Sequence, residues 1–499
     1  MTKQIDDIEI SFLDFPENVR RRTGMYLNGP NHCVQEIVDN AVDEFLAGYC
    51  TQIDVSYNTE KKQIIVKDNG RGIPVAPSKD PKHKGVSMLQ SAICSLHAGG
   101  KYGSARENSY TTITSGLNGV GSSAVNAVST IFQVDVYRDG YHYQIICEKG
   151  IVTTPVTKLE TVSKNRTGTT VTFVLDPEIW REEEIQLNEL KQRLQELAYL
   201  NPGLIVTYTE DNTETISYQY PEGIQTYIQN LTANTTHICE PILLQNHKNP
   251  DMGMDIAFLY TSGYTQNLRS YVNTVPTERA GDHVAGFKLG IVRTINTYIA
   301  QNNIKGMSDI TQDDMLEGIT AIIAVQVKEP RFEGQAKTAI RMPELKTAVA
   351  EKVQDVLFEF LSKNQKTAST ILDKISNAAK ARLAAKRARQ AARDQTKKLS
   401  TITLPGKLKA CSSKDPEKCE LFLVEGDSAA GTSSQARDSR TQAILPVFGK
   451  ILNAEKRGIE ALNSSKILEA IKALGCGIGD SFNIDKLRYH KIIIMADAD

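Results

Sequence analysis

The spacing of apolar residues along the chain changes twice and separates three regions. Residues 1–215 mix helical and strand-like spacing and hold most of the glycine-rich loops, whereas residues 216–395 contain a strand-like run at 318–327 and then a long helical stretch. Residues 396–499 contain short apolar runs that end in carboxylates, which is typical of a compact α/β domain. A chain of 499 residues is too long for one hydrophobic core. We therefore predict an α/β multidomain protein with three domains that have these bounds.

A helix predicted at 31–48 is apolar along one arc and polar along the other. Glu36, Asn40 and Asp43 lie at positions i, i+4 and i+7 of the polar arc, and Gly48 is a suitable helix terminator. Taken alone, this pattern also fits an ordinary amphipathic helix that packs on a core.

Four glycine-containing segments follow this helix. The apolar strand at 63–66 runs into Asp68–Pro74, where a carboxylate beside two glycines could accept a hydrogen bond from the amino group of a base. His97–Tyr102 comes next, and Ser115–Gly121 then opens a helix, where backbone N–H groups and the helix dipole can approach phosphate oxygens. Arg166–Thr170 finally places small hydroxyls before a strand. One such loop is weak evidence for a nucleotide-binding site, whereas the ordered series is strong evidence.

In order and approximate spacing, the helix at 31–48 and three of these segments resemble the four boxes of the GHKL ATPases, whose α/β sandwich is also called the Bergerat fold. The matching positions are Glu36-x-x-x-Asn40, Asp68-x-Gly70-x-Gly72, Gly116–Gly121 and Gly168-Thr169. The resemblance implies that Glu36 is the general base for the attacking water, that Asn40 is a Mg²⁺ ligand, and that Asp68 and Thr169 hold the adenine. The further ATP-binding residues that it implies are Gly72, Ile73, Pro74, Lys101, Gly116, Leu117, Asn118, Gly119, Val120 and Gly121.

The segment Arg331–Thr338 follows an apolar run at 319–327. A polar loop after a strand is the plain interpretation, but a flexible loop with Gly, Gln and Lys can also deliver positive charge to a transferring phosphoryl group. The segment resembles the QTK loop in the transducer domain of type IIA DNA topoisomerases, with alanine in the middle. This resemblance implies an S5-like α/β transducer domain with a long C-terminal helix, in which Gln335 and Lys337 sense the γ-phosphate.

Two apolar runs in the C-terminal region end in carboxylates. The run at 420–424 leads into Glu425-Gly-Asp-Ser, and the run at 491–495 leads into Asp497-Ala-Asp499. Both motifs are short, but carboxylates at one sheet edge suit Mg²⁺. Together with the upstream ATPase segments they resemble the N-terminal part of a TOPRIM domain. The resemblance implies that Glu425, Asp497 and Asp499 hold Mg²⁺ at a DNA phosphodiester.

The chain departs from the topoisomerase pattern at several positions. Thr23 stands where a proline is usual, Asn118 where bacterial gyrases usually carry histidine, and Phe448 where the stretch at 444–453 usually carries arginine. None of these changes removes a group needed for hydrolysis or for the metal. Lys450 lies in the same stretch and is expected to contact DNA. The departures indicate a divergent branch of the family.

The segment 374–398 has nine Lys or Arg residues against one acid, Asp394, and is rich in alanine. This composition predicts a long basic helix. Two interpretations stay open and are compatible: a solvated helix that links two domains, and a contact surface for the phosphate backbone of DNA through Lys386, Arg387 and Arg389.

Composition and charge exclude several classes of protein. A formal net charge of -1 excludes a uniformly basic nucleic-acid binder, although a locally basic surface remains compatible with it. The eight cysteines form no C-x-x-C pair, which fits a reducing cytoplasm better than a zinc site or a disulfide framework. No apolar run approaches 18 residues and no signal peptide is evident, so we expect a cytoplasmic protein that does not bind membranes.

The resemblance implies an ATP-dependent type II topoisomerase subunit that uses ATP and Mg²⁺. Its expected partners are double-stranded DNA, a second copy of the chain on ATP binding, and an A-type topoisomerase chain that carries the nucleophilic tyrosine. The alternative is a GHKL clamp of the mismatch-repair type that does not cleave DNA. The C-terminal carboxylates count against the clamp, which has no use for them.

Overall fold

The computed structural model describes residues 13–81, 83–99, 113–116, 119–211, 213–249, 251–334, 337–400, 405–447, 464–477 and 482–495, without the side chains of 391–400. The chain divides into two compact units, with the division between Ala379 and Lys380.

The first sheet of the N-terminal unit has the strand order β5-β4-β3-β6-β2-β1-β7-β8. Its neighbours are antiparallel except for β1 and β7, which are parallel. The strands are β1 (Gln52–Asn58), β2 (Gln63–Asp68), β3 (Ser129–Arg138), β4 (Tyr141–Glu148), β5 (Ile151–Thr161), β6 (Gly168–Leu175), β7 (Ile205–Glu210) and β8 (Ile216–Tyr218). Because β8 pairs with β7, the sheet extends to Tyr218, three residues beyond the expected domain boundary at 215.

Helices accompany this sheet and form a two-layer sandwich with it. They are α1 (Glu17–Arg21), α2 (Pro30–Leu46), α3 (Met88–Cys94), α4 (Gly121–Ala127), α5 (Pro177–Trp180) and α6 (Leu187–Leu200). The apolar arc of α2, which includes Val34, Ile37 and Val38, is buried in the same core as Phe132 and Phe173 of the sheet. The helix and sheet patterns predicted for this region are therefore confirmed.

A second sheet in the same unit has the strand order β12-β11-β13-β10-β9. Its strands are β9 (Ile242–Asn249), β10 (Met252–Tyr260), β11 (Asn267–Val272), β12 (Val275–Pro276) and β13 (Ile319–Val327). Its helices are α7 (Ile224–Leu231), α8 (Asp282–Gln301), α9 (Gln312–Leu316) and α10 (Pro343–Lys363). Helices α8 and α10 pack closely, since a Cβ on Gly286 or Gly290 of α8 would collide with the backbone carbonyls of Lys346 and Ala350.

The predicted basic helix is present as α11 (Gln365–Ser400), which passes through the division between the two units. The C-terminal unit contains the strands β14 (Glu420–Glu425), β15 (Gln442–Val447) and β16 (Lys491–Met495) and the helices α12 (Gly426–Ala436) and α13 (Ser465–Leu474). Strand β14 lies between β15 and β16 and is parallel to both. Across the described ranges, no helix has both the length and the apolarity needed to cross a membrane.

Candidate functional site

Helix α2 places three carboxylates in the protein interior. Glu36, Asp39 and Asp43 are 9%, 8% and 0% exposed, respectively. A buried carboxylate is costly unless charge or hydrogen bonds compensate it. Each of the three is compensated by a different part of the chain, so the helix connects several elements around one site.

Glu36 contacts a lysine from the second sheet's domain. The Lys337 Nζ atom lies 3.4 Å from Oε1 of Glu36, and Lys337 is itself only 4% exposed. Burial alone would lower the pKa of Lys337, but the carboxylates of Glu36, Asp39 and Asp43 outweigh it and raise that pKa. Lys337 is therefore a cation held against the carboxylate that was predicted to be the general base. Gln335, its predicted companion, lies outside the described residues.

A second cationic candidate beside Glu36 is His32, one helical turn earlier. Its Nε2 atom lies 3.4 Å from Oε1 of Glu36. Burial lowers the pKa of His32 below its ordinary value, despite the raising effect of Glu36. His32 is thus neutral at pH 7, and Lys337 supplies the positive charge.

The glycine-rich loop is fixed to α2 through Asp43. Oδ2 of Asp43 accepts a hydrogen bond of 2.7 Å from Oγ1 of Thr114, and Oδ1 accepts one of 2.7 Å from the backbone N–H of Ser115. The loop continues through Gly116, Gly119 and Val120 into α4 at Gly121, while Leu117 and Asn118 lie outside the described residues. A Cβ on Gly121 would overlap Oε2 of Glu36, so any larger residue here would displace the Glu36 carboxylate.

Asn40 lies between the two carboxylates on the same side of α2. Its Nδ2 donates to the carbonyl oxygen of Glu36 at 2.9 Å and to Oγ of Ser122 at 3.0 Å. These bonds fix the orientation of the amide beside the point where the glycine loop enters α4. No group of three or more His, Cys, Asp or Glu side chains among the described residues could hold a metal ion by itself, but an amide oxygen is a suitable single ligand for Mg²⁺, so Asn40 fits the predicted role beside phosphate oxygens and water.

Asp68 ends β2 and lies against β6. Its Oδ1 accepts hydrogen bonds from the backbone N–H of Gly70 at 2.8 Å and of Thr169 at 3.3 Å. Burial raises the pKa of Asp68 from 3.8 to about 6, although both hydrogen bonds act in the opposite direction. Gly168 must be glycine here, because a Cβ would overlap the carbonyl oxygen of Asp68. The predicted pair of Asp68 and Thr169 is therefore in contact.

The segment after Asp68 forms one wall beside this pair. Gly72 has a left-handed φ of 75°, and its carbonyl oxygen accepts a 2.8 Å hydrogen bond from Nη1 of Arg138. Ile73 and Pro74 follow and are partly buried. Lys101, predicted to hold the phosphates, lies outside the described residues.

Sequence reasoning did not single out Glu44, which supports the same wall. Glu44 accepts two side-chain hydrogen bonds from Arg71, at 3.0 Å from Nε and 2.9 Å from Nη2, and the guanidinium stacks over the ring of Tyr49 at 3.7 Å. The missed residues also include Asp39 and His32. Spacing is the sequence signal that could have identified His32, since His32, Glu36 and Asn40 recur every four residues on α2.

The C-terminal unit brings the strand ends of the second predicted site to one edge. Glu425 is the last residue of β14 and is exposed. In the parallel pair of β14 and β16, Val424 lies opposite Met495, so both strands end at the same edge. Asp497 and Asp499 come after the end of β16 in the sequence and lie outside the described residues, as does Lys450.

The basic face of α11 is solvent-accessible in its described part. Lys386, Arg387 and Arg389 are all exposed. Their exposure is compatible with both interpretations of this helix, a solvated linker and a contact surface for DNA.

Comparison with known families matches each region in turn. The family model described as "Histidine kinase-, DNA gyrase B-, and HSP90-like ATPase" matches residues 27–179, "DNA gyrase B" matches 223–391, and "Toprim domain" matches 420–499. These three domains in one polypeptide define a class of protein, the ATPase subunits of type II DNA topoisomerases.

Similar individual proteins and structures support the assignment to this class. The chain is 42% identical over 505 aligned positions to the DNA gyrase B protein of Staphylococcus aureus, and the alignment covers 98% of this chain and 77% of that protein. Its fold is similar to the 43K ATPase domain of Thermus thermophilus gyrase B, solved with an aminocoumarin (TM-score 0.59, 32% identity, 75% of this chain and 97% of that one). It is also similar to the topoisomerase IV ATP-binding domain of Francisella tularensis, solved with a small-molecule inhibitor (TM-score 0.62, 32% identity, 74% and 97%).

The chain belongs to the DNA gyrase B family. It is a gyrase-B-type subunit of a type II topoisomerase, an isomerase, with a GHKL ATPase domain and a Toprim domain. The clamp alternative of the mismatch-repair type is not favoured, because the Toprim match extends over the carboxylate motifs.

Proposed function

We propose that ATP-Mg²⁺ binding at α2 closes a homodimeric gate on a segment of double-stranded DNA and that hydrolysis resets it. The single observation that carries this proposal is the contact of Lys337 with Glu36. A charge supplied by a second domain directly at the general base makes hydrolysis dependent on how the two domains are arranged. Such dependence is what an ATP-driven gate requires.

The roles proposed for individual residues rest on the family resemblance, supported by the positions of those residues that the structure describes. Glu36 takes the proton of the attacking water, and Asn40 holds Mg²⁺. Asp68 and Thr169, with the wall at Gly72, Ile73 and Pro74, bind the adenine. The loop from Gly116 to Gly121, with Lys101, binds the phosphates, and Lys337 with Gln335 contacts the γ-phosphate. When bound, Mg²⁺ would neutralise phosphate charge during the transfer.

We also propose that Glu425, Asp497 and Asp499 hold Mg²⁺ for cleavage and religation of DNA by the tyrosine of an A-type partner chain. The shared edge of β14 and β16 supports this assignment, because parallel strands deliver their C-terminal residues side by side. Lys386, Arg387 and Arg389 of α11, with Lys450, are the proposed contacts to the DNA backbone. The eight free cysteines fit a cytoplasmic location.

The test is reconstitution with an A-type chain from a relative. We expect ATP-dependent supercoiling or decatenation of plasmid DNA, and the product distinguishes a gyrase from a topoisomerase IV activity. A Glu425→Ala chain should lose DNA cleavage and keep its ATP turnover. Glu417→Ala, which removes an exposed carboxylate elsewhere in the same unit, is the matched control. Undiminished cleavage by Glu425→Ala would contradict the metal assignment.

A further inference from the structure

A two-residue turn in the second sheet has an unusual backbone. Asn273 and Thr274 join β11 to β12 with φ angles of 49° and 69°, both in the left-handed region. Asparagine tolerates this region, whereas a β-branched threonine there is strained. Both residues are buried, at 0% and 5% exposure. A strained, buried turn persists only where its surroundings hold it in place.

The side chain of Asn273 joins the glycine-rich loop to the end of β13. Its Nδ2 donates to the carbonyl oxygens of Thr114 and Val327, each at 2.8 Å, and its Oδ1 accepts from the backbone N–H of Val327 at 2.8 Å. Thr114 is in turn bonded to Asp43 of α2. Val327 is the last residue of β13, and the chain runs from it to the loop that carries Lys337. One amide therefore contacts both the glycine-rich loop and the strand that precedes the Lys337 loop.

The second residue of the turn leads back to α2 by another route. The carbonyl oxygen of Thr274 accepts a 2.9 Å hydrogen bond from Nη2 of Arg193, on α6. The same Nη2 lies 3.6 Å from Oδ1 of Asp39 on α2. Arg193 is 6% exposed. The turn is thus connected to α2 by two routes. Thr274 reaches Asp39 through Arg193, and Asn273 reaches Asp43 through Thr114.

We propose that Asn273 is a positioning residue for ATP hydrolysis, which holds Lys337 against Glu36 only while the glycine-rich loop is seated on α2. The inference rests on the role proposed above for Lys337. Asn273 has no contact with Glu36 or Lys337 among the described residues, so its effect is transmitted through Thr114 and Val327. A shift of about 1 Å in a catalytic group can cost up to about a hundredfold in rate, which gives such a residue a large influence.

The test is a double-mutant cycle on the full-length chain. Asn273→Gly removes the amide and keeps the left-handed backbone accessible. In the parent background we expect kcat for ATP to fall about tenfold with little change in KM. In a Lys337→Ala background we expect the same change to lower kcat by less than about twofold, because the group that Asn273 positions is already gone.

Asn303→Gly is the matched control, since Asn303 also has a left-handed φ, of 51°, and is exposed. It should leave kcat unchanged in both backgrounds. If Asn273→Gly fails to fold, Asn273→Asp replaces it, because aspartate keeps the acceptor for Val327 and loses both donors. Equal fold losses in the two backgrounds would overturn the proposal. If Lys337→Ala alone leaves turnover unchanged, the role proposed for Lys337 is the part that fails.

Discussion

Glu36 and Glu425 differ in the surroundings of their negative charge. Glu36 is 9% exposed and has Lys337 and His32 within 3.4 Å, whereas Glu425 is exposed at the end of a strand. A buried charge must be compensated by protein groups in fixed positions, and those groups then become part of the mechanism. An exposed carboxylate is accessible to solvent and to a metal ion. In the proposed function, the first arrangement makes ATP hydrolysis depend on how the domains are arranged, and the second makes DNA cleavage depend on a bound metal ion.

The largest expected effect comes from removing the buried base. Glu36→Ala should lower ATP turnover by about 10²–10⁴, the usual contribution of a general base, and should retain nucleotide binding. Steady-state hydrolysis and equilibrium binding of ATP measure the two quantities. Glu214→Ala, which removes an exposed carboxylate in the first domain, should change neither. Normal turnover by Glu36→Ala would refute the assignment.

The contrast in burial also predicts a contrast in stability. Asp43→Asn replaces a fully buried acceptor of hydrogen bonds from Thr114 and Ser115 and should lower the free energy of unfolding by about 2–4 kcal/mol. Glu425→Gln should change it by less than about 0.5 kcal/mol. Denaturant titrations of both variants, followed by a probe in the affected unit, test this difference. Equal effects would show that burial is not what separates the two sites.

Alanine substitutions of one glycine beside Glu36 and one in the C-terminal unit should have smaller and different effects. A methyl group on Gly121 would overlap Glu36, so Gly121→Ala should lower ATP turnover about tenfold or more by displacing the base. Gly431→Ala in α12 has open space around it and should stabilise its helix by about 0.5–1 kcal/mol. Turnover and thermal unfolding of the two variants are the measurements. An active Gly121→Ala chain would mean that Glu36 tolerates a different position.

The last effect expected is on the pH dependence of stability. The pKa of Asp68 is raised from 3.8 to about 6 by burial, so its protonated form favours the folded state. That contribution is complete below about pH 4 and is lost as the pH rises through 6. Asp68→Asn should therefore be more stable than the parent above pH 6, by about 1–3 kcal/mol, with the difference vanishing near pH 4.

Unfolding curves at several pH values test this expectation, and the same variant should bind ATP more weakly. A variant that is less stable than the parent at pH 8 would contradict the sign.

Much of the fold and of the site could be predicted from the sequence, for a definite reason. The apolar period of α2 fixes which arc faces the core, and so it also fixes that Glu36, Asn40 and Asp43 share the other arc. The strands before Glu425 and Asp497 could be placed in the same way, from short apolar runs. Glycines beside a carboxylate marked Asp68, because close backbone approach leaves few alternatives at Gly168 and Gly72.

The remainder depended on contacts that local patterns do not encode. Lys337 and Glu36 are 301 positions apart, and Asn273 and Thr114 are 159 apart. Asp39 looks like any polar residue on a helix until Arg193 is placed beside it. Glu44 was missed because its partner, Arg71, belongs to a loop whose path is set by the sheet and not by its own spacing.

The close packing of α8 against α10 has a mechanical consequence. At Gly286 and Gly290 the two backbones approach so closely that neither helix can slide past the other without meeting the carbonyls of Lys346 and Ala350. Asp282, at the start of α8, accepts a 2.6 Å hydrogen bond from the backbone N–H of Met342, which joins the Lys337 loop to α10. Any displacement of that loop would therefore be transmitted to both helices together.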